Sequence, residues 1–542
     1  MKRKILMLIL TGMQCLFVAA ADFTADYQVI PLPQEVSLTA KAPFVLNAST
    51  AIVYPEGNAD MQRNADFLAG YIKDNTGLNL QVTSAKGKSG IKLALDKKAA
   101  QAEGYTIRVT AKEVLISGST PQGVFYGIQT LRKSLPVGKG IVQVELPAVV
   151  IKDAPRFGYR GMHLDCGRHF FPISFVKKYI DLLAMHNMNT FHWHLTEDQG
   201  WRIEIKKYPR LTDFGSKRTE TVMGRNSDVY DGMPYGGYYT QDEAREIVKY
   251  AADRYITVIP EIDMPGHMQA ALACYPELGC TGGPYEVRRI WGISDEVLCL
   301  GNEQTYAFCQ NVLDELMQIF PSKIVHIGGD EAPHRRWEQC PKCKAKMAEL
   351  GIDVKKLQGY FTNRIEKFVN SKGRRILGWD EILDGDINQS AMVMSWRGLE
   401  PGIKAAHKGH DVIMSPVDYA YFDYYQVKDT WKEPLSIGGF LPVEKVYSYD
   451  PLPNDVAPEV QKHILGVQAN LWTEYIGNEN FAEYMVLPRM SALAEVQWSN
   501  AKKDFEAFKN RLTRFTEMYD LYHLTYAKHL WPERHERENA AD

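Results

Sequence analysis

Eight apolar segments recur between about residues 157 and 498, and each resembles a short strand that ends in polar or acidic residues. The segments are YRGMHLD, MNTFHWHL, ITVIPEID, KIVHIGGDE, RRILGWDE, AMVMSWR, HDVIMSP and ILGVQANLW. Helical patterns separate them, and Thr240 with Glu243 three residues later marks one helix start as a capping box. Eight strand and helix units over roughly 340 residues predict a (β/α)8 barrel of the α/β class.

Regions on both sides of the predicted barrel, which we assign to residues 156–500, have patterns of their own. Residues 22–155 alternate extended and helical segments, clearest in GYTIRVT, VLISGS and TPQGVFYGIQTLRKSLP, and predict a small α/β domain. Residues 501–542 contain the amphipathic stretch DFEAFKNRLTRFTEMYDLYH and predict a C-terminal helical extension. The chain is therefore expected to contain one large domain and one or two smaller domains.

The first 21 residues have the layout of a secretory signal peptide. Lys2, Arg3 and Lys4 precede an apolar run that ends in small residues. That run is shorter than the roughly 20 residues a membrane span needs, and no later stretch is long and apolar enough to be one. We expect a secreted or periplasmic protein with no membrane span.

Charge and cysteine content narrow the possible partners and cofactors. The chain has 63 basic and 66 acidic residues, so it lacks the basic surplus typical of nucleic-acid binding. Seven of its eight cysteines lie outside the leader, and an odd number does not describe a disulfide framework. Cys340 and Cys343 form CPKC, but structural zinc needs four ligands, and no second pair has finger spacing. We predict no metal and no cofactor, with a local disulfide or free thiols at CPKC.

Carboxylates and tryptophans are concentrated where the predicted strands end. Active-site residues of (β/α)8 barrels gather at this face. The candidates are His192, His194, Glu197, Asp198, Glu261, Asp263, His267, Asp330, Glu331, Trp379, Asp380, Glu381, Trp396, Arg397, Tyr421, Asp423, Trp472 and Glu474. Aromatic faces beside carboxylates suit a sugar, so the pattern predicts a carbohydrate site.

The adjacent acids Asp330 and Glu331 are the strongest catalytic candidates. Glycoside cleavage needs an acid for the leaving oxygen and a second group that deals with the positive charge developing at the anomeric carbon. Successive strand residues point to opposite sides, so this pair shares a site only where the strand ends and bends. Gly328 and Gly329 permit that bend. We predict that Glu331 is the acid and base and that Asp330 holds a group of the substrate.

The segment HIGGDE at 326–331 resembles the signature of glycoside hydrolase family 20, the β-N-acetylhexosaminidases. Similar segments accompany it in the same order: RGMHLDCGRHFFP, FHWHLTEDQGWR, VIPEIDMPGH, GWDE, YFDYY and LWTE. They cover the whole predicted barrel, and the family also carries a small preceding α/β domain. The resemblance implies an exo-acting, retaining enzyme that releases terminal N-acetylglucosamine or N-acetylgalactosamine from a glycan or chitooligosaccharide. In such catalysis the substrate's own 2-acetamido oxygen attacks the anomeric carbon.

The resemblance also implies roles for individual residues. Asp330 would orient the acetamido N–H, Tyr421 would bond its carbonyl, and Glu331 would protonate the leaving group. His267 and one acid of the Glu197 and Asp198 pair would support Glu331, and which of the two acids does so stays open because the family commonly has Asp-Asp there. The substrate-binding residues implied are Arg160, Asp423 and Glu474 for the sugar hydroxyls, and Trp379, Trp396 and Trp472 for the walls of the pocket.

Three other functions stay open at this point. A barrel glycosidase acting on unsubstituted sugars would use Glu381 or Glu474 as a protein nucleophile. A carbohydrate-binding protein on the same scaffold would need no catalysis, although the intact Asp330 and Glu331 pair argues against it. A metal-dependent hydrolase would use His326, Asp330 and His334. The sequence makes no prediction of the oligomeric state.

Overall fold

The computed structural model describes residues 23–85, 90–97, 101–452 and 455–532. The predicted signal peptide at 1–21 lies outside these residues. Within the described ranges, no helix is long and apolar enough to cross a membrane.

Eight parallel strands close into the predicted barrel, in chain order. They are β1 (Tyr159–Asp165), β2 (Thr190–His194), β3 (Thr257–Glu261), β4 (Ile324–His326), β5 (Arg375–Trp379), β6 (Met392–Ser395), β7 (Val412–Met414) and β8 (Ile464–Ala469). The register pairs Asp165 with His194, His194 with Glu261, and Glu261 with His326. The carboxyl ends of the first four strands therefore lie at one level, and the side chains that follow them meet.

Helices surround the barrel and cover its strands. The longer ones are Ile173–Met185, Gln241–Ala252, Glu303–Ile319, Pro341–Leu350, Val354–Ser371, Glu400–His407, Glu479–Val486 and Arg489–Trp498. Shorter strands and helices in the loops are Thr196–Glu197, Gly200–Trp201, Arg210–Asp213, Lys217–Arg218, Tyr235–Gly236, Gln269–Cys274, Pro276–Leu278, Arg335–Gln339, Asp380–Asp384, Val417–Ala420, Tyr424–Tyr425, Gly438–Phe440, Val443–Ser448 and Pro458–Gln461. The predicted capping box is present, since Thr240 and Glu243 bond each other's backbone N–H groups.

The N-terminal region folds as the predicted small α/β domain. Its seven-stranded sheet has the order Glu35–Leu38, Val149–Asp153, Tyr105–Val109, Val114–Gly118, Gly90–Leu95, Ala51–Val53 and Gln81–Thr83. A three-stranded sheet contains Phe23–Thr24, Gln143–Leu146 and Phe44–Asn47, and the two helices are Ala59–Thr76 and Pro121–Ser134. Thr120 caps the second helix through the Gly123 N–H. That helix is buried along nearly its whole length, because it packs against the sheet on one side and meets barrel residues such as Arg160 and Met185 on the other.

Arg160, predicted to bind the sugar, lies at the opposite end of the barrel, and this prediction is wrong. It is the second residue of β1, and its side chain is 1% exposed. The guanidinium donates to the Tyr126 hydroxyl at 2.8 Å, to the Asn187 carbonyl at 2.9 Å and to the Glu103 carboxylate. Its hydrogen bonds fasten the bottom of the barrel to the small domain, so no donor remains for a ligand at the other face.

After the barrel, the helix Phe505–Leu521 forms the predicted C-terminal extension. Asp504 caps it by accepting from the Ala507 N–H. The helix returns to the small domain, where Arg514 donates to the Gln28 carbonyl at 2.6 Å and Tyr522 donates to Asp74 at 3.1 Å. The extension thus ties the two ends of the described chain together.

Candidate active site

The chain bends sharply after β4, as the two glycines predicted. Gly328 and Gly329 have φ of 65° and 98°, and Glu331 itself has φ of 45°. A Cβ on Gly328 would lie 1.8 Å from the Asp263 carboxylate, so the chain passes where only glycine fits. The unusual backbone of Glu331 indicates a constraint of the kind found at functional sites. As a result, Asp330 and Glu331 both face the end of the barrel.

His267 links Glu331 to a buried acid. Its Nε2 lies 3.5 Å from a Glu331 oxygen, and its Nδ1 lies 2.9 Å from Glu197 and 3.8 Å from Asp198. Asp198 instead accepts from the Gln269 backbone N–H at 2.9 Å. Burial alone would lower the pKa of His267, but the charge of Glu197 and the hydrogen bonds to Glu197 and Glu331 hold it well above its usual range. Glu197 is therefore the acid that pairs with His267.

Asp330 carries an unmatched acceptor. Its Oδ1 is buried, and among the residues that the structure describes no N–H or alcohol O–H group donates to it; its polar neighbour is the carboxyl group of Asp263. Burial, together with the charges of Glu331 and Glu261, raises the pKa of Asp330 to about 6 in spite of the nearby His267. Burial and the charge of Asp330 also raise the pKa of Asp263 well above its usual range. A buried carboxylate oxygen with no protein donor calls for a donor on a ligand.

An aromatic pocket lies beside Asp330. Trp379 and Trp472 are 5.6 Å apart between ring centroids, and Trp396 stacks on Tyr421 at 6.0 Å. The charge of Asp330 contributes to the raised pKa of Tyr421, after burial and Asp423, so the tyrosine belongs to the same site. The structure thus brings together the four aromatic residues predicted for the acetamido pocket.

Glu381 lies between the pocket and Asp330. It accepts from the Trp396 indole N–H at 2.8 Å. Burial, followed by the charge of Asp330, raises the pKa of Glu381 to about 8. Its carboxyl group is therefore mainly protonated at neutral pH, which makes it a poor nucleophile.

Arg168, which sequence analysis missed, is the arginine that faces the site. Its guanidinium lies 2.9 Å from Glu197, 3.3 Å from Asp165 and 3.9 Å from Glu474, and 5.1 Å from the centre of the Trp472 ring. Arg168 follows the carboxyl end of β1, whereas Arg160 lies near the amino end. Active sites of (β/α)8 barrels form at the carboxyl ends of the strands. Applied to β1, this rule would have favoured Arg168 over Arg160.

Asp423 completes this polar corner of the pocket. Both of its carboxylate oxygens are buried and lack hydrogen-bond partners within the described part of the chain. Burial and the charge of Glu474 raise the pKa of Asp423 well above its usual range. Arg168, Asp423 and Glu474 together offer one donor group and two acceptors, the combination that sugar hydroxyls need.

Beneath the pocket, Glu261 holds three histidines in place. Its carboxylate oxygens lie 2.9 Å from His192 Nε2 and 2.9 Å from His326 Nδ1, and it also bonds His194. The Trp379 indole N–H donates to it at 2.9 Å. These contacts give the histidines a structural role, and they fix the position of Trp379.

Glu331 is more exposed to solvent than Asp330. Its side chain is 34% exposed, against 12% for Asp330. It lines an open cleft of about 530 Å³ together with Ile293, His334 and Gln358. Glu331 therefore faces an open cleft, whereas Asp330 is largely buried.

Although no second pair has finger spacing in the sequence, the fold places two further cysteines beside CPKC. Cys280 and Cys299 lie beside Cys340 and Cys343, although they are far from CPKC along the chain. None of the seven cysteines that the structure describes forms a disulfide. This cluster lies outside the cleft.

A (β/α)8 barrel with paired acids between an aromatic pocket and an open cleft defines a glycoside hydrolase. The family model described as "Glycosyl hydrolase family 20, catalytic domain" matches residues 157–501, and "Glycosyl hydrolase family 20, domain 2" matches residues 26–154. The chain belongs to glycoside hydrolase family 20.

Relatives and solved structures agree with this membership. A β-hexosaminidase of Porphyromonas gingivalis is 42% identical over 516 residues, which are 93% of this chain and 65% of that protein. This chain therefore spans slightly less than two thirds of that relative. A mutant Streptomyces plicatus β-hexosaminidase in complex with the product GlcNAc has a TM-score of 0.82 at 33% identity, covering 94% and 98% of the two chains. A Vibrio harveyi exo β-N-acetylglucosaminidase in complex with N-acetylglucosamine has a TM-score of 0.83 at 32% identity, covering 94% and 80%.

Proposed function

We propose that this protein is an exo-acting, retaining β-N-acetylhexosaminidase that releases terminal N-acetylglucosamine or N-acetylgalactosamine from glycans by substrate-assisted catalysis. The observation that carries the proposal is the buried Asp330 Oδ1, to which no N–H or alcohol group donates, beside Trp379, Trp396 and Trp472. An amide N–H with a small apolar methyl group suits that combination. The GlcNAc complexes of the Streptomyces plicatus and Vibrio harveyi proteins support the same substrate class.

The pocket geometry favours a terminal sugar. Arg168, Asp423 and Glu474 place buried and partly buried polar groups at one end of the site, which suit the hydroxyls of a non-reducing end. Glu331 lies toward the open cleft, where the rest of the glycan has room to leave. A chain that continued through the buried end would have to displace these groups.

In the first step, the acetamido oxygen attacks the anomeric carbon while the bond to the leaving oxygen breaks and Glu331 gives that oxygen its proton. The Tyr421 hydroxyl donates to the acetamido oxygen, and Asp330 accepts from the N–H as the resulting oxazolinium ring gains positive charge. In the second step, the Glu331 carboxylate takes a proton from water, which attacks the same carbon and reopens the ring. Two inversions give net retention.

The rival with a protein nucleophile is less well supported. Glu381 is mainly protonated at neutral pH, and its Oε2 accepts from the Trp396 indole. Glu474 is held at the buried end of the pocket near Arg168. Neither carboxylate has the environment of a free, anionic nucleophile.

A panel of aryl glycosides tests the proposed activity. The purified protein is expected to release the aryl group from β-N-acetylglucosaminides and β-N-acetylgalactosaminides without added metal. The Glu331→Ala variant, purified in parallel, measures contaminating activity. Equal or faster cleavage of the plain β-glucoside would contradict the proposal.

The pH dependence should report Asp330. Because Asp330 must be anionic to stabilise the oxazolinium charge, we expect kcat/KM to fall about tenfold per pH unit below its pKa of about 6. The charged form is present above this pKa and is lost as the pH falls through it. The acidic limb should be absent from the residual activity of Asp330→Asn. If the acidic limb persists unchanged in this variant, a group other than Asp330 causes it.

The two arginines should respond differently to substitution. Arg168→Met removes the donor of the polar corner, so kcat/KM should fall by about tenfold to a hundredfold or more. Arg160→Met should leave kcat/KM nearly unchanged but lower the free energy of unfolding by at least about 2 kcal/mol, since it breaks the buried contacts between the domains. Steady-state kinetics and denaturant unfolding measure the two effects. A loss of activity in Arg160→Met at a temperature where it stays folded would restore the original assignment.

We further propose that the protein is secreted or periplasmic, on the basis of its first 21 residues. Amino-terminal sequencing of the protein recovered outside the cytoplasm should begin near Ala21. Recovery of the uncleaved chain from the cytoplasm alone would contradict this.

A further inference from the structure

We propose that Cys280, Cys299, Cys340 and Cys343 bind one structural zinc ion. Their four Sγ atoms all lie within 4.8 Å of one another. The separations are 3.9 Å for Cys280 to Cys343, and 3.7 Å from Cys299 to both Cys340 and Cys343. Tetrahedral zinc with bonds of about 2.3 Å to sulfur places its ligands roughly 3.8 Å apart. A disulfide would require about 2.05 Å.

The local fold explains how CPKC presents two thiols to one point. Cys340 immediately precedes the helix Pro341–Leu350, and Cys343 lies in its first turn. Both cysteines therefore lie at the amino-terminal end of the same helix. The helix has only this one cysteine pair, so the remaining ligands must come from another segment.

The second segment supplies Cys280 and Cys299 from two stretches of chain that an isolated β-bridge joins. Gly279 and Leu298 form an antiparallel bridge, and the Cys299 N–H donates to the Leu278 carbonyl at 2.8 Å. This pairing brings together two cysteines that are 19 positions apart in the sequence. Their spacing is therefore set by the bridge and not by a short turn, which is why no finger spacing is visible in the sequence.

Gly301 brings the two segments into direct contact. Its backbone N–H lies near the sulfur atoms of Cys299 and Cys343. A Cβ at this position would lie 2.2 Å from the Lys342 carbonyl carbon, so only glycine allows the approach. A backbone N–H beside the sulfur atoms would stabilise the negative charge that a four-thiolate zinc site carries.

The donor set selects the metal. Four thiolates in a tetrahedral arrangement favour zinc or an iron–sulfur site. The short distances between the four sulfur atoms fit one metal ion. Three of the four cysteines are buried and the fourth is partly buried, as in closed structural sites. Binding releases the thiol protons to solvent and needs no oxidant, whereas two disulfides would require the removal of four electrons.

The proposed zinc would fix the loops on which the active site depends. The Leu298 N–H donates to the carbonyl of Pro265, two residues before His267, and the Trp337 indole N–H donates to the Leu298 carbonyl at 2.9 Å. CPKC itself follows Glu331 by nine residues. The ion would thus join the loops after β3 and β4 without touching the substrate, and the inference does not rest on the proposed activity.

Metal content and X-ray absorption of the full chain, purified without added metal or chelator, test the proposal. We expect about one zinc per chain, with a sulfur-only shell at about 2.3 Å. Cys343→Ala should lower the zinc content to below about a tenth of an equivalent. Cys309→Ala is the matched control, because Cys309 is also buried but lies outside the cluster, and it should retain the metal.

The unmodified protein decides the outcome even if Cys343→Ala does not fold. Disulfides among these four cysteines in peptide mapping without reductant, or four free thiols with no metal, would overturn the proposal. Iron in place of zinc, or a zinc shell containing nitrogen or oxygen, would overturn it as well. Stripping the zinc with a chelator should lower the thermal midpoint of the unmodified protein, and re-addition of zinc should restore it.

Discussion

Glu331→Gln is expected to lose two to four powers of ten in kcat on substrates with basic leaving groups and much less on activated aryl glycosides, the usual range for general acid catalysis. Glutamine keeps the shape of the side chain but has no proton to give. A basic leaving oxygen needs that proton, whereas a stabilised phenolate leaves without it. The measurement is kcat across a series of aryl glycosides whose phenols differ in pKa. A plot of log kcat against the phenol pKa should have a steeper slope for the variant than for the unmodified enzyme.

Glu338→Gln provides a control in the helix Arg335–Gln339, since it lies outside the site and should reproduce the slope of the unmodified enzyme. A uniform loss across all leaving groups in Glu331→Gln would remove Glu331 from the role of acid. Some other carboxyl group would then have to reach the leaving oxygen.

Asp330→Asn should lower kcat by about a hundredfold or more while the fold stays intact, the scale of one lost electrostatic group in a dry site. The carboxylate contributes mainly in the transition state, where the acetamido group gains positive charge. A thiazoline that mimics the oxazolinium should bind the unmodified enzyme far more tightly than substrate does. The variant should lose most of that advantage, measured by competitive inhibition.

Asp386→Asn is the matched control for this substitution, because Asp386 is an exposed carboxylate, paired only with Lys356 among salt-bridge partners in the described structure. Circular dichroism checks that both variants are folded. Thiazoline binding that survives Asp330→Asn unchanged would leave the mechanism in place but take this role from Asp330.

The barrel was predictable because its signal is repeated and local. All eight predicted segments contain a barrel strand, from YRGMHLD with Tyr159–Asp165 to ILGVQANLW with Ile464–Ala469. Buried parallel strands are apolar on both faces and therefore stand out as short continuous runs. The bend after β4 was also visible, since Gly328 and Gly329 directly precede the acid pair.

The errors concern contacts between distant parts of the chain. Arg160 and Arg168 lie in one motif, eight residues apart, yet they point to opposite ends of the barrel. The cysteine cluster joins residues 280 and 343, which only the folded loops bring together. Glu197 and Asp198 are adjacent, and the hydrogen bond from Gln269 to Asp198 separates their roles. Which residue of a motif reaches the site depends on the direction of its side chain, and the spacing of residues in a motif does not encode that direction.

The identity of the nucleophile is the central claim, and the rate of hydrolysis across a series of N-acyl substrates tests it most directly. Aryl β-glucosaminides carrying N-acetyl, N-fluoroacetyl, N-difluoroacetyl and N-trifluoroacetyl groups differ little in size but progressively in the nucleophilicity of the acyl oxygen. We predict that log(kcat/KM) falls steeply and linearly with fluorine substitution, because that oxygen attacks in the transition state. A flat series, together with a fluorosugar trapped covalently on Glu381 or Glu474, would show that a protein carboxylate is the nucleophile.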